Sequence, residues 1–231
     1  KSLSPQTLFA IDQYVLRGGH AFFCVDPLCE ADTEANPMDP TTQRFSTLNT
    51  LLNAWGVDVP TDKIAADQDL ALQVNTQGGG NARVPYVPWL RLTGDQVEKK
   101  DPITGQLSLM HFASSGFIRR ADPAAAPGSG AEITPLIFTT ATAMQLPSAA
   151  ISTPPNPQAL LSAFVPGSEK LTLAARLSGK VKTAFPAGKP LAEGETAPQQ
   201  DESLKESTGS ISVVVVADTD LAGETRVWRR L

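Results

Sequence analysis

The chain has 231 residues, 41% of them hydrophobic and 19% charged, with a formal net charge of −5. That is too apolar and too weakly charged for a disordered chain, and a negative balance with no basic block argues against nucleic-acid binding. No apolar run approaches the roughly 18 residues of a membrane span, and the longest, residues 211–217, has the length of a strand.

Nineteen prolines and 17 glycines announce many loops. The sequence opens without a Met or a signal peptide, which predicts a processed chain or a piece of a longer one. Ser4 and Pro5 read as N-cap and first residue of a helix. Leu8, Ile11, Val15 and Leu16 recur near helical spacing, with Asp12 and Gln13 on the polar side, and Gly18-Gly19 ends the segment. Residues 21–25 are continuously apolar, as in a parallel strand covered on both faces, and they exit at Asp26-Pro27.

An acidic loop follows over residues 27–40. Thr41 or Thr42 is expected to cap a second helix carrying Phe45, Leu48, Leu51, Leu52 and Trp55, stopped by Gly56. A short strand near residues 63–66 repeats the helix-then-strand alternation. The middle, from about residue 70 to 139, reads as a loop-rich β insertion. It has short strands at 70–74, 107–112, 116–119 and 133–139, and a Pro-broken edge strand at 84–92. Asn156-Pro157 caps a short helix, residues 171–177 form a strand, and residues 186–203 are polar enough for a mobile loop. Residues 210–217, β-branched throughout, fit a central parallel strand that exits at Asp218, Thr219 and Asp220. The expected architecture is therefore one α/β domain over 1–231, with a mainly parallel sheet and flanking helices.

Both strong strands end in acid. At the carboxyl edge of an open sheet, Asp26, Asp218 and Asp220 would converge, joined by Glu30 from the acidic loop. Such a set suits a ligand, a partner or a hard cation; the alternative is that Asp26 and Asp218 cap turns. The acidic loop lacks the ligand spacing and sharp-turn glycine of an EF-hand. Gly78 to Gly80 and Arg83 do not make a phosphate-binding loop. No Gly-x-Ser-x-Gly element and no Cys with a His in motif context is present. His20, His111, Cys24 and Cys29 are too few for a zinc site, and no cofactor motif is found. Tyr86 and Trp89, among prolines, are a candidate contact surface, or else a satellite core beneath a long loop.

Residues 3–27, with their helix, Gly-Gly, strand and Asp-Pro order, resemble the GldG-like auxiliary components of ABC transport systems linked to gliding motility. Residues 48–57 and 213–221 look like later segments of the same family. The resemblance implies a glutamine-amidotransferase-like or flavodoxin-like fold without catalytic Cys-His machinery. It implies a non-enzymatic, periplasmic domain of a membrane-anchored protein, with an ABC permease and ATPase as partners and another envelope protein as a further candidate. The rivals are a solute-binding module with its pocket at the acidic edge and a divalent-metal-dependent hydrolase.

Overall fold

The computed structural model describes residues 3–32, 44–75, 83–124, 130–151, 156–191 and 202–222. Of the described residues, 18% are helical and 35% lie in strands. In chain order the elements are α1 (Pro5–Leu16), β1 (His20–Cys24), α2 (Asn49–Ala54), β2 (Val57–Asp58), β3 (Lys63–Ala66), β4 (Ala71–Asn75) and β5 (Arg83–Thr93). Then come β6 (Leu109–Ala113), β7 (Arg119–Arg120), β8 (Glu132–Phe138), β9 (Met144–Pro147), α3 (Pro157–Ser162), β10 (Thr172–Ser178) and β11 (Ser212–Val216).

These strands form a four-stranded sheet in the order β1-β11-β10-β8, a three-stranded sheet β4-β5-β6, and the pairs β2-β7 and β3-β9. Among the described residues, only β1 and β11 run parallel; the other pairs are antiparallel. The expected mainly parallel, flavodoxin-like α/β sheet is thus overturned: the protein is mostly β, built from several small sheets. The helix-then-strand alternation misled because α1 delivers β1 to the main sheet, whereas α2 is followed by β2 and β3, each in a separate two-stranded pair.

Residues 21–25 correct the expectation further. β1 does pair in parallel with β11, His20 against Ser212 through Cys24 against Val216. It is nonetheless the sheet's outer strand, and Phe22 is 64% exposed, so β1 is not covered on both faces. β11 is the inner one, with Val213, Val215 and Val216 buried.

α1 forms as its caps dictate. Ser4 Oγ accepts from Thr7 N at 3.2 Å, and Pro5 supplies the first turn. Gly18 closes it at φ 93°, a left-handed conformation that glycine adopts without steric cost. Asp12 and Gln13, expected on the polar side, are 0% and 2% exposed; Asp12, four residues after Leu8 and three before Val15, shares their buried face. The second helix is shorter than its apolar stripe predicts. Ser46 instead bridges to Asp26, and helix begins only at Asn49; Thr41 and Thr42 lie outside the described residues.

The Pro-broken segment is not an edge strand. β5 is the middle strand of its sheet, between β4 and β6. The register jumps from Leu72 opposite Tyr86 to Ala71 opposite Leu90, so Pro88 sits in a bulge where β4 asks for no N–H. The Gly78 to Gly80 turn and most of the expected mobile loop, residues 192–201, lie outside the described residues.

The buried apolar side chains form three clusters. One joins α1, α2 and one face of β11 through Leu16, Leu52, Trp55 and Val213. A second lies around Leu92, Phe112, Leu136 and Leu173. A third gathers Ile64, Tyr86, Trp89 and Leu160. Among the described residues, no helix is long and apolar enough to cross a membrane.

Candidate functional site

The parallel register of β1 and β11 brings the exits of both strands to one edge, and the acids go with them. Asp26, Asp218 and Asp220 are 0%, 0% and 3% exposed. Each carboxylate meets backbone N–H groups of a different crossing segment. Asp26 accepts from Leu28 N at 2.8 Å, from Thr219 N at 3.0 Å and from Thr219 Oγ1 at 2.8 Å. Asp218 accepts from Ala113 N at 2.9 Å and from Leu221 N at 3.0 Å. Asp220 accepts from Glu30 N at 2.8 Å, Ala31 N at 2.9 Å and the Cys29 thiol at 3.3 Å. The three acids tie the loop after β1, the end of β6 and the exit of β11 to one another.

Glu30 extends this group toward β5. Its Oε1 accepts from Trp89 Nε1 at 2.8 Å and from the Ser114 hydroxyl. Arg44 Nη2 donates to the Glu30 carbonyl at 3.4 Å. Ser114 follows β6 at φ 49°, the one non-glycine in the left-handed region among the described residues. That conformation is uncommon for a side chain with a Cβ and persists where surrounding contacts fix it. Here Pro88 O accepts from Ser114 N at 2.9 Å, and the hydroxyl is held by Glu30.

The electrostatics follow from burial. Desolvation pushes Asp26 up to about 7, against the N–H and O–H donors that favour its charge, and Asp220 adds repulsion. Asp218 is raised well above the usual carboxylate range by burial, then by Asp26 and Asp220. Burial also raises Glu30, whose Ser114 and Trp89 hydrogen bonds work the other way. The Cys24 and Cys29 thiols are raised by burial and by neighbouring acids, so neither is poised as a thiolate. His111 stands apart on β6, opposite Arg91, where burial and then the Arg91 charge lower its pKa.

The structure therefore gathers Asp26, Glu30, Asp218 and Asp220 in one place, and Trp89 with them. Tyr86 packs edge-to-face on Trp89 at 5.2 Å, and both are buried, 1% and 6% exposed. They sit in the third apolar cluster rather than on an exposed contact surface. Burial and then the Glu30 charge raise the Tyr86 phenol. Sequence reading missed Ser114, Thr219, Cys29 and Arg44. Thr219 was legible as the residue between two acids; Ser114 carried no signal, because its partner Glu30 is 84 residues away.

One oxygen each of Asp26 and Asp220 and the Cys29 sulfur lie within 4.8 Å of one another, a spacing that suits a cation. The oxygens of the three acids are already committed to six backbone N–H groups, a hydroxyl and a thiol, which makes the group a hydrogen-bond hub first. Replacing Asp220 tests that role. Asp220→Ala leaves the part-buried N–H groups of Glu30 and Ala31 without that acceptor, and we expect a loss of roughly 1–3 kcal/mol. Denaturant unfolding would read it, and an unchanged midpoint would show that water or another group replaces the carboxylate at no cost.

No curated protein and no solved structure matches the chain. A family model described as an ABC-type uncharacterized transport system matches residues 1–231. With that match spanning acid hub, sheets and helices alike, the chain belongs to this family of ABC-type transport auxiliary components.

Proposed function

We propose that the chain is a non-enzymatic, extracytoplasmic domain of a membrane-anchored auxiliary protein in an ABC transport system of the GldG-like, gliding-motility kind. It works by contact with other components of the same transporter, the permease and ATPase among them. The observation that carries this reading is the family match over residues 1–231.

The geometry of the acids supports it. Ser114 has two attributes of a nucleophile, a left-handed backbone and a carboxylate partner. It is also 0% exposed, and its hydroxyl already donates to Glu30, so no substrate reaches it without rearrangement. Asp26 and Asp218 accept main-chain donors where a hydrolase would aim its acids at water or substrate.

The test is affinity purification of the tagged full-length protein from membranes of its source. An ABC ATPase and permease encoded beside it should co-purify in stoichiometric amounts. Their absence after mild crosslinking would remove the transporter reading. Turnover of an ester, phosphate or amide substrate by the isolated chain, abolished by Asp218→Asn, would remove the non-enzymatic one.

A further inference from the structure

The acidic edge is filled by its own side chains, but a cleft of about 420 Å³ opens elsewhere, between α2 and the β2-β7 pair. That volume falls within the range of small-molecule sites. It is lined by Asn53, Asp58, Arg119, Arg120, Ala121 and Asp122.

Three of these side chains have hydrogen-bonding capacity left over. Asn53 Oδ1 is buried with no donor in reach, a costly state for an amide oxygen. Arg120 makes a single hydrogen bond, Nη1 to Ala131 O at 3.3 Å, out of the five N–H donors of a guanidinium. Arg119 is engaged, with Nε and Nη2 both 2.8 Å from Asp58 Oδ2. Asp122 accepts from Ala124 N through Oδ1 alone. The wall thus offers a guanidinium and a carboxylate, with its two cations balanced by its two anions.

We propose that this cleft binds the zwitterionic end of a small solute, an ammonium beside a carboxylate, as in an amino acid or a short peptide. The ligand carboxylate pairs with the Arg120 fork, the geometry in which guanidinium recognition is strongest. The ammonium donates to Asp122, whose second oxygen is uncommitted. A phosphate would meet the same arginines but also two carboxylates with nothing to offer them. The inference stands on the cleft alone and does not depend on the transporter reading.

The experiment is an amide NMR titration of the intact chain with glycine, glycylglycine, acetate, methylammonium and inorganic phosphate. Glycine or glycylglycine should give saturable shifts at residues 53, 58 and 119–122, with acetate and methylammonium at least about tenfold weaker. Preference between the two distinguishes a free amino acid from a peptide end. Arg120→Gln, at an exposed strand position, should keep the spectrum of the fold and weaken binding at least about tenfold. Asp122→Asn should weaken glycine and spare acetate. The proposal fails if no saturable shift appears by about 50 mM. It fails equally if phosphate or acetate binds as tightly as the zwitterions, or if Arg120→Gln binds like the wild type.

Discussion

The protein should lose stability as pH rises from about 4 to 7, opposite to the acid lability common among small domains. Asp26 holds its proton to about pH 7 in the native state, whereas the same side chain in an unfolded chain titrates near 3.8. Below the lower value both states are protonated and the acid hub adds no penalty. Between the two values the unfolded chain ionises first, which favours unfolding; above about 7 both are ionised and the loss is complete. A shift from 3.8 to about 7 corresponds to roughly 4 kcal/mol, at 1.36 kcal/mol per unit. Asp218 and Glu30 are raised as well and act in the same direction. Urea unfolding at closely spaced pH values reads this directly. The Asp218→Asn variant should start less stable, since an amide NH2 then faces one of the two N–H donors of Ala113 and Leu221, but its pH profile should be flatter. A stability that is level or rising from pH 5 to 8 would mean that the hub stays ionised in the native protein.

Asp12→Ala should be among the most damaging single changes, costing about 3–5 kcal/mol. Asp12 is 0% exposed and sits where α1, α2 and the segment after β10 meet. Its carboxylate accepts from Trp55 Nε1 at 3.3 Å, from Thr183 Oγ1 at 2.6 Å and from Ala184 N at 3.1 Å. With Gln13 Nε2, which also donates to it at 3.2 Å, its removal strands four donors in an interior closed by Trp55, itself 0% exposed. For a chain of this size the midpoint temperature should fall by roughly 10 °C, at 2–4 °C per kcal/mol. Calorimetry on Asp12→Ala and Asp12→Asn decides it. A loss below about 1 kcal/mol in the alanine variant would show that the donors find other partners.

Asp12 and Gln13 show what the sequence did and did not tell. Four residues after Leu8, three before Val15 and four before Leu16, Asp12 lies on their face of α1, so its burial follows from the spacing. Gln13 lies off that face and is covered by the segment at Leu204, a second layer that nothing local signals. The prolines of β5 misled for a related reason: their cost depends on whether a neighbouring strand needs the missing N–H, and a register jump in β4 removes the need at Pro88. Other features were readable. Ser4, Pro5 and Gly18 mark α1 correctly, and the β-branched run before Asp218 is an inner strand that pairs in parallel with the strand before Asp26. From that pairing the meeting of the acids follows. The fold class did not follow, because the other partner of β11 runs antiparallel, and strand direction is not written in side-chain pattern.

The pairing of β1 with β11 also sets an order of events during biosynthesis. Asp26 and Thr219, which hydrogen-bond at the mouth of that pair, are 193 residues apart. A ribosome adding 5–20 residues per second needs roughly 10–40 s to cover that interval. Throughout it the nascent β1 has no parallel neighbour to complete it, and Glu30 and Ala31 lack the acceptor that Asp220 later provides. Closing so long a loop comes late in folding, after the local hairpins of the middle segment. The edge of β1 and the loop after it therefore stay open until nearly the last residues of β11 have been made, whereas β2, β3 and β4 meet their partners earlier.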